Sequence, residues 1–385
     1  MKNDLPNEPI ICTPSSGRVL FVHQSAELYG SDRTFEQSVR GYRRAAPKSL
    51  ITVVLAADGP LIKFLQAHAD EIIIAPLFVL RKQLLKQGTL LNLPALVRAV
   101  KKAMVMVAGY DAVYINTAVI MDYIIACRLK KIPAVLHVHE LPIGLSRLLL
   151  RFIVRHSRAT IIFNSQATRK AFGMEEDQRH LVIPNGTVVR DSTPLPTGDT
   201  LRLLLIGRFN SWKGQGLLVS ALSRLEAPLR KRIRVIMAGG VYQDQHHFKD
   251  DVMRQARECE LAELIDFHDF VDDPSALYHW SGLVVVPSLL PEPFGLVAIE
   301  AMGHGRPVIA ADHGGLTDIV VDGETGIRFS PGDPESLAAA IRIYLEQPDL
   351  MAVHGIKGRK RYTQYYHEDR YMTAVSEVIS SLIRP

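Results

Sequence analysis

Cysteine is scarce: three in 385 residues, at Cys12, Cys127 and Cys259. They are odd in number, far apart and outside any CxxC pattern. That argues for a reducing cytoplasm and against disulfides or a cysteine-based metal site. Long apolar runs are missing too. None reaches the roughly 18 residues a membrane-crossing helix needs, and the opening MKNDLPNEPII has no apolar centre of the signal-peptide kind. The expected location is the cytoplasm, in solution or peripherally on the inner face of the plasma membrane. No GxGxxG follows the first strand pattern, and GxxxxGK[ST] and HExxH occur nowhere. Dinucleotide dehydrogenases, P-loop enzymes and zinc peptidases thereby lose their usual support. The basic stretches carry no interleaved aromatic platform, which argues against nucleic acid as a partner.

Apolar residues make up 47% of the chain, enough for large cores and, at this length, two domains. Charge is divided unevenly. Residues 1–197 hold 25 Lys/Arg against 15 Asp/Glu, a net +10, and the remainder 20 against 25, a net −5. A basic first half suggests an anionic partner there, such as an acidic membrane surface. Two basic stretches stand out within it, Arg81–Val107 and Gly144–Arg158. In the latter, Arg147, Arg151 and Arg155 fall four apart on one helical face with Arg158 close by, a pattern that suits either a membrane-lying helix or an ordinary solvated face.

RVLFVH, SLITVVLAA, EIIIAPL, DAVYIN, PAVLHVH, ATIIFNS and HLVIP read as strands separated mostly by helical patterns. A second series follows: LRLLLIG, RIRVIMAG, LIDFHDF, GLVVVP, RPVIAA and TGIRFS. Short apolar runs without alternation indicate parallel strands covered on both faces. The segment DSTPLPTGDT, Asp191–Thr200, has a linker's composition. The expectation is α/β, two doubly wound Rossmann-like parallel-sheet domains facing across a cleft. Residues 1–195 form the first, 196–365 the second, and 366–385 a C-terminal helix able to pack back on the first. Ligands of such sheets bind at the carboxyl ends of the strands.

The most informative stretch is 287–315, PSLLPEPFGLVAIEAMGHGRPVIAADHGG. A strand pattern leads into a proline-rich loop holding Glu292, then a helical pattern from about Gly295 to His304 carrying Glu300, then a strand. The helix N-terminus, with about half a positive charge, points back into that loop and suits an anion. Two carboxylates eight positions apart also raise glycoside hydrolysis, although this spacing alone is weak. Arg208 and Lys213, in IGRFNSWKG, place two cations at the end of the strand LRLLLIG, where each could contribute roughly 1.5–3 kcal/mol to holding a diphosphate. His137 and His139 alternate on one strand and could chelate a metal, but no third ligand shows itself. His139, nearer the strand end, suits substrate contact, and His137 suits the core. Gly30 sits where a strand-to-helix turn needs a permissive backbone, as a plain turn or as room for a phosphate.

The run EPFGLVAIEAMGHGRPVIAADHGGLTDIVVDGETGIRF closely resembles the signature of retaining glycosyltransferases of family 4, which have the GT-B fold. IGRFNSWKG resembles that family's GR…KG segment, VIPNG its segment before the linker, PAVLHVHE its histidine strand and ELYGSDR its glycine-containing N-terminal loop. The resemblance covers nearly the whole chain and implies a nucleotide-diphosphate sugar as donor. Arg208 and Lys213 would hold the diphosphate, Glu300 the ribose and Glu292 the transferred sugar. The backbone of Phe294, Gly295 and Leu296 would lie near sugar and phosphate. His139 and Gly30 would contribute from the first domain, and Val271 would lie near the base, in a turn with Asp269 where the family commonly has glycine. No cofactor and no metal are implied. The expected acceptor is a glycan or lipid-linked molecule of cell-surface polysaccharide assembly (lipopolysaccharide, capsule or exopolysaccharide). An epimerase or phosphorylase on the same architecture, or a non-catalytic nucleotide-sugar-binding scaffold, are the alternatives.

Overall fold

The computed structural model describes residues 16–28, 30–80, 93–142, 144–174, 179–241 and 245–383. The opening segment with Cys12 and the basic run Arg81–Gln87 lie outside the described residues. Among the described residues thirteen strands form two sheets. In the first, β1 (Arg18–His23), β2 (Leu50–Leu55), β3 (Glu71–Ile74), β4 (Ala112–Asn116), β5 (Ala134–Val138), β6 (Thr160–Phe163) and β7 (His180–Val182) take the order β3-β2-β1-β4-β5-β6-β7. In the second, β8 (Leu201–Ile206), β9 (Ile233–Ala238), β10 (Ile265–His268), β11 (Leu283–Val286), β12 (Val308–Ala311) and β13 (Gly326–Phe329) take the order β10-β9-β8-β11-β12-β13. The second sheet is parallel at every pairing, with Leu283 beside Leu203 and Val284 beside both Leu204 and Val308. The first is parallel from β3 through β5.

The apolar runs form strands because both faces of each are covered. All residues of β4, β5, β11 and β12 are buried, which is why they show no polar alternation. Each sheet reverses direction of growth once, between β1 and β4 and between β8 and β11. Helices on opposite faces leave a crevice at such a switch point, beyond the carboxyl ends of the strands.

Residue contacts divide the chain into two units, Met1–His137 with Phe152–Ile161 and Met372–Pro385, and Val138–Arg151 with Ile162–Tyr371. The segment 191–200 carries no helix or strand. It is nevertheless anchored, because the buried Arg306 guanidinium donates to the carbonyls of Thr193 (2.9 Å) and Pro194 (3.2 Å). The arginine-rich segment forms the helix Leu145–His156. Two of its arginines tie it to a neighbouring helix, Arg147 and Arg151 each donating through Nε, at 3.0 Å, to the carbonyls of Ala171 and Phe172. Those carbonyls end the helix Gln166–Phe172, where a cation offsets the negative end of the dipole. Leu148 and Phe152 on the same arginine-rich helix are exposed. Among the described residues no helix is long and apolar enough to cross a membrane.

Candidate active site

The site is built from three loops at the carboxyl ends of β8, β11 and β12, adjacent strands spanning the second sheet's switch point. After β8, Asn210 Oδ1 accepts from the backbone N–H of Trp212 (3.1 Å) and Lys213 (2.9 Å), an Asx turn that reverses the chain. Gly214 follows with φ +79°, and a Cβ there would lie 1.9 Å from the Pro287 carbonyl oxygen, so only glycine fits. The helix Gln215–Ser223 begins at this glycine, and Gln215 Nε2 donates back to the carbonyls of Gly207 (3.2 Å) and Arg208 (3.1 Å). These bonds fix the backbone from which Arg208 and Lys213 extend.

The loop after β11 is tied to the first by Leu289 N–H donating to the Trp212 carbonyl at 2.7 Å. Glu292 is buried there, 6% exposed. Its Oε1 accepts from Lys213 Nζ at 2.7 Å and from the Ser288 hydroxyl. Lys213 Nζ also stands 4.5 Å from the centroid of the Trp212 ring. The third loop closes the arrangement. His313 Nε2 lies 2.8 Å from the Ser288 carbonyl oxygen, and Gly315 N–H donates to the Glu292 carbonyl at 2.8 Å. Burial by itself would push the Glu292 carboxyl up. The Lys213 charge and hydrogen bond, the Ser288 hydroxyl and the nearby His313 outweigh it and hold the group below its ordinary value. Glu292 is therefore ionised at neutral pH, unsuited to donating a proton and suited to accepting hydrogen bonds from hydroxyl groups.

Glu300 lies on the helix Leu296–Gly303, half-buried, and its Oε2 accepts from the Tyr278 hydroxyl at 2.7 Å. That helix begins from Gly295 at φ +124°, which supplies no side-chain oxygen to cap the first amides. A Cβ at Gly295 would meet Leu316 at 2.6 Å. The Phe294 side chain is buried and packs edge-on to Tyr366 at 6.1 Å. Val271, past β10, is 38% exposed, and Asp269 beside it pairs with Lys249 at 2.6 Å.

The remaining expected residues lie on the first sheet. Gly30 opens the helix Gly30–Ala45 after β1. His139 lies just past β5, with Nδ1 3.4 Å from Asn164 Nδ2. His137 is fully buried, and Tyr114 OH lies 2.6 Å from its Nδ1. Among the described residues no three His, Cys, Asp or Glu side chains group to hold a metal ion. Sequence reasoning missed Tyr278, Ser288 and His313. The one available signal was Ser288, four residues before Glu292 in the same loop.

Residues 190–361 match the family model of glycosyl transferases group 1. The matched span holds β8 to β13 and the three loops of the site. Curated relatives align mainly with part of the chain. A glycogen synthase of Mycobacterium tuberculosis is 32% identical over 185 residues, 48% of this chain and 43% of that protein. A lipopolysaccharide core biosynthesis mannosyltransferase of Rhizobium leguminosarum is 30% identical over 177 residues, 46% of this chain and 50% of that protein. The chain thus spans about half the length, or less, of these curated relatives. Solved structures extend the likeness. Anabaena Alr3699/HepE in complex with UDP-glucose superposes with a TM-score of 0.76 at 25% identity, covering 95% of this chain and 100% of that one. The lipopolysaccharide glycosyltransferase WaaG superposes at 0.67 with 17% identity, covering 94% and 99%, which bears on the fold alone. The two doubly wound domains are those of the GT-B architecture.

Proposed function

We propose that this chain is a retaining glycosyltransferase of family 4 that moves a sugar from a nucleotide-diphosphate donor to a glycan or lipid-linked acceptor of cell-surface polysaccharide assembly. The observation that carries the reading is the Lys213–Glu292 pair at the second sheet's switch point, an ammonium and an ionised carboxylate 2.7 Å apart. Group 1 glycosyl transferase sequence around it and a UDP-glucose complex among the structural neighbours support the same reading.

In this proposal Lys213 and Arg208 hold the diphosphate, and the open first turn of the helix Leu296–Gly303 adds its amides. Departure of the nucleotide breaks the bond between the anomeric carbon and the β-phosphate oxygen and leaves negative charge, which fixed cations stabilise without reorganisation. The acceptor hydroxyl bonds to the anomeric carbon on the face the nucleotide leaves, giving retention, and its proton leaves with the diphosphate. Glu292, ionised by its neighbours, accepts hydrogen bonds from the sugar hydroxyls. It is a positioning group in this scheme, and no nucleophile is required of it. Glu300 takes the ribose, the backbone of Phe294 to Leu296 lines the sugar and phosphate, and Val271 lies by the base. His139 and Gly30 are assigned to the donor by the family resemblance alone. No metal or other cofactor is required, and the enzyme works in the cytoplasm. Peripheral contact with anionic membrane rests on the basic first half and on the exposed Leu148 and Phe152.

The test is thermal stabilisation by UDP, GDP, dTDP, CMP and ADP, with and without EDTA, followed by turnover of the matching sugar nucleotide. A ligand at one hundred times its dissociation constant stabilises by about 2.7 kcal/mol, well within detection. Stabilisation by one diphosphate that survives EDTA supports the proposal. No stabilisation by any refutes the donor site, and binding with no turnover on any glycan or lipid acceptor favours the scaffold.

A further inference from the structure

We propose that Tyr278 is a positioning residue for recognition of the donor's ribose, acting through Glu300; this rests on the donor-site reading above. Tyr278 lies on the helix Ser275–Trp280, is 1% exposed, and donates its hydroxyl to Glu300 Oε2 at 2.7 Å. Its ring stacks on that of His304, with centroids 4.8 Å apart and planes 15° apart. Its carbonyl accepts from Arg306 Nε at 2.8 Å. Arg306 is itself 1% exposed and directs its other donors to the carbonyls of His279, Thr193 and Pro194 and to the Thr193 hydroxyl. A buried guanidinium placed wholly on carbonyl and hydroxyl oxygens holds one corner rigid, and that corner carries the Tyr278 ring.

The consequence reaches Glu300. A half-buried glutamate on a helix samples several rotamers, and freezing it when a ligand binds costs conformational entropy. The Tyr278 bond selects one rotamer beforehand, so the carboxylate meets the two ribose hydroxyls already in place. A phenol that merely needs a buried hydrogen-bond partner would look similar in the structure. The two roles differ in how a substitution couples to the ribose.

The experiment compares UDP and GDP, each against its 2′,3′-dideoxy analogue, on the full chain by calorimetric titration. In the parent protein the analogue of the diphosphate that binds should bind about tenfold or more weakly. Tyr278→Phe, which keeps the ring stack, should weaken the ribose-bearing diphosphate about tenfold and leave the dideoxy analogue within about threefold, so the discrimination collapses. In a Glu300→Gln background the same substitution should change the discrimination no further. Equal weakening of diphosphate and analogue, or continued loss in the Glu300→Gln background, overturns the proposal. Should Tyr278→Phe fail to fold, His304→Leu loosens the ring and leaves the hydroxyl. Unaltered discrimination there overturns the proposal as well. Parent protein that binds none of the nucleoside diphosphates refutes the donor site itself, whereas binding without ribose discrimination removes Glu300 and Tyr278 from it and leaves the diphosphate assignment standing.

Discussion

Replacing Lys213 by methionine separates the electrostatic contribution from the packing around it. Methionine keeps most of the stem beside Gly207 and removes the charge. Glu292 Oε1 then keeps the Ser288 hydroxyl and loses its cation, in a place where the glutamate side chain is 8% exposed. Breaking one partner of a buried ion pair costs about 3–5 kcal/mol, and the lysine's 19% exposure puts this case at the low end, about 3 kcal/mol at pH 8. The pH dependence should change sign. In the parent protein the Glu292 carboxyl is held low, so its contribution is present above the unfolded carboxyl value and is lost as pH falls through the folded one. With the ammonium gone, only burial and weaker partners remain and the folded value rises. Stability in the variant is then full in acid and lost as pH increases. Urea unfolding of both proteins at several pH values between 5 and 8 reads this directly. The parent should be nearly flat from this group, and the variant should decline. The double variant Lys213→Met with Glu292→Gln should recover to within about 1 kcal/mol of the parent, because both charges are gone. Nucleoside diphosphate binding should fall about 10- to 100-fold in the single and the double variant alike. A single variant as stable as the parent and equally flat with pH would refute the buried-pair reasoning.

Three further outcomes are expected. Glu292→Gln should lower turnover by at least tenfold and leave nucleoside diphosphate affinity within about threefold; parallel loss of both would place the loop on the nucleotide instead. Gly214→Ala should destabilise by more than about 2 kcal/mol in urea unfolding, because the new methyl meets the Pro287 carbonyl. Gly323→Ala, with φ +69° and open space around it, should cost only the backbone term of about 1 kcal/mol. Equal costs would refute the close approach as the cause at Gly214. Burial, with the charges of His279 and Arg306 nearby, pushes the His304 imidazole down to about 4. The unfolded chain takes up this proton from about pH 6.5 downward and the folded chain does not, so about 3 kcal/mol is lost between pH 6.5 and 4. His304→Phe, which keeps a ring on Tyr278, should remove that part of the acid sensitivity, and an unchanged unfolding profile would refute the assignment.

The strands and the two-sheet plan were legible because each β-strand of a doubly covered parallel sheet announces itself locally, as in VVLA, VLHV or LVVV. Glu292, Glu300, Arg208 and Lys213 were legible for a related reason. Each lies within reach of a strand's carboxyl end, and a doubly wound sheet gathers ligands at those ends. Other residues showed only part of their role at the level of the chain. Arg147 and Arg151 read as members of a basic helical face, solvated or membrane-lying, and they also bond the last carbonyls of a neighbouring helix. Arg306 read as the start of the strand RPVIAA, yet it is a buried cation holding the segment 191–200.

By itself, then, the amino-acid order determined the strands, the helices and the candidate residues at their ends, since these depend on apolar runs and turn chemistry within a few positions. Partnership was decided only by the tertiary structure. Lys213 and Glu292 are 79 positions apart, and Tyr278 and Glu300 are 22 apart. They meet because β11 inserts beside β8, and because Tyr278 and Arg306 flank that strand in the chain. Strand order follows from how whole faces pack, a property of the assembled sheet that no local pattern encodes. The ionised state of Glu292 belongs to the same level, because burial and the ammonium that overcomes it come from different loops.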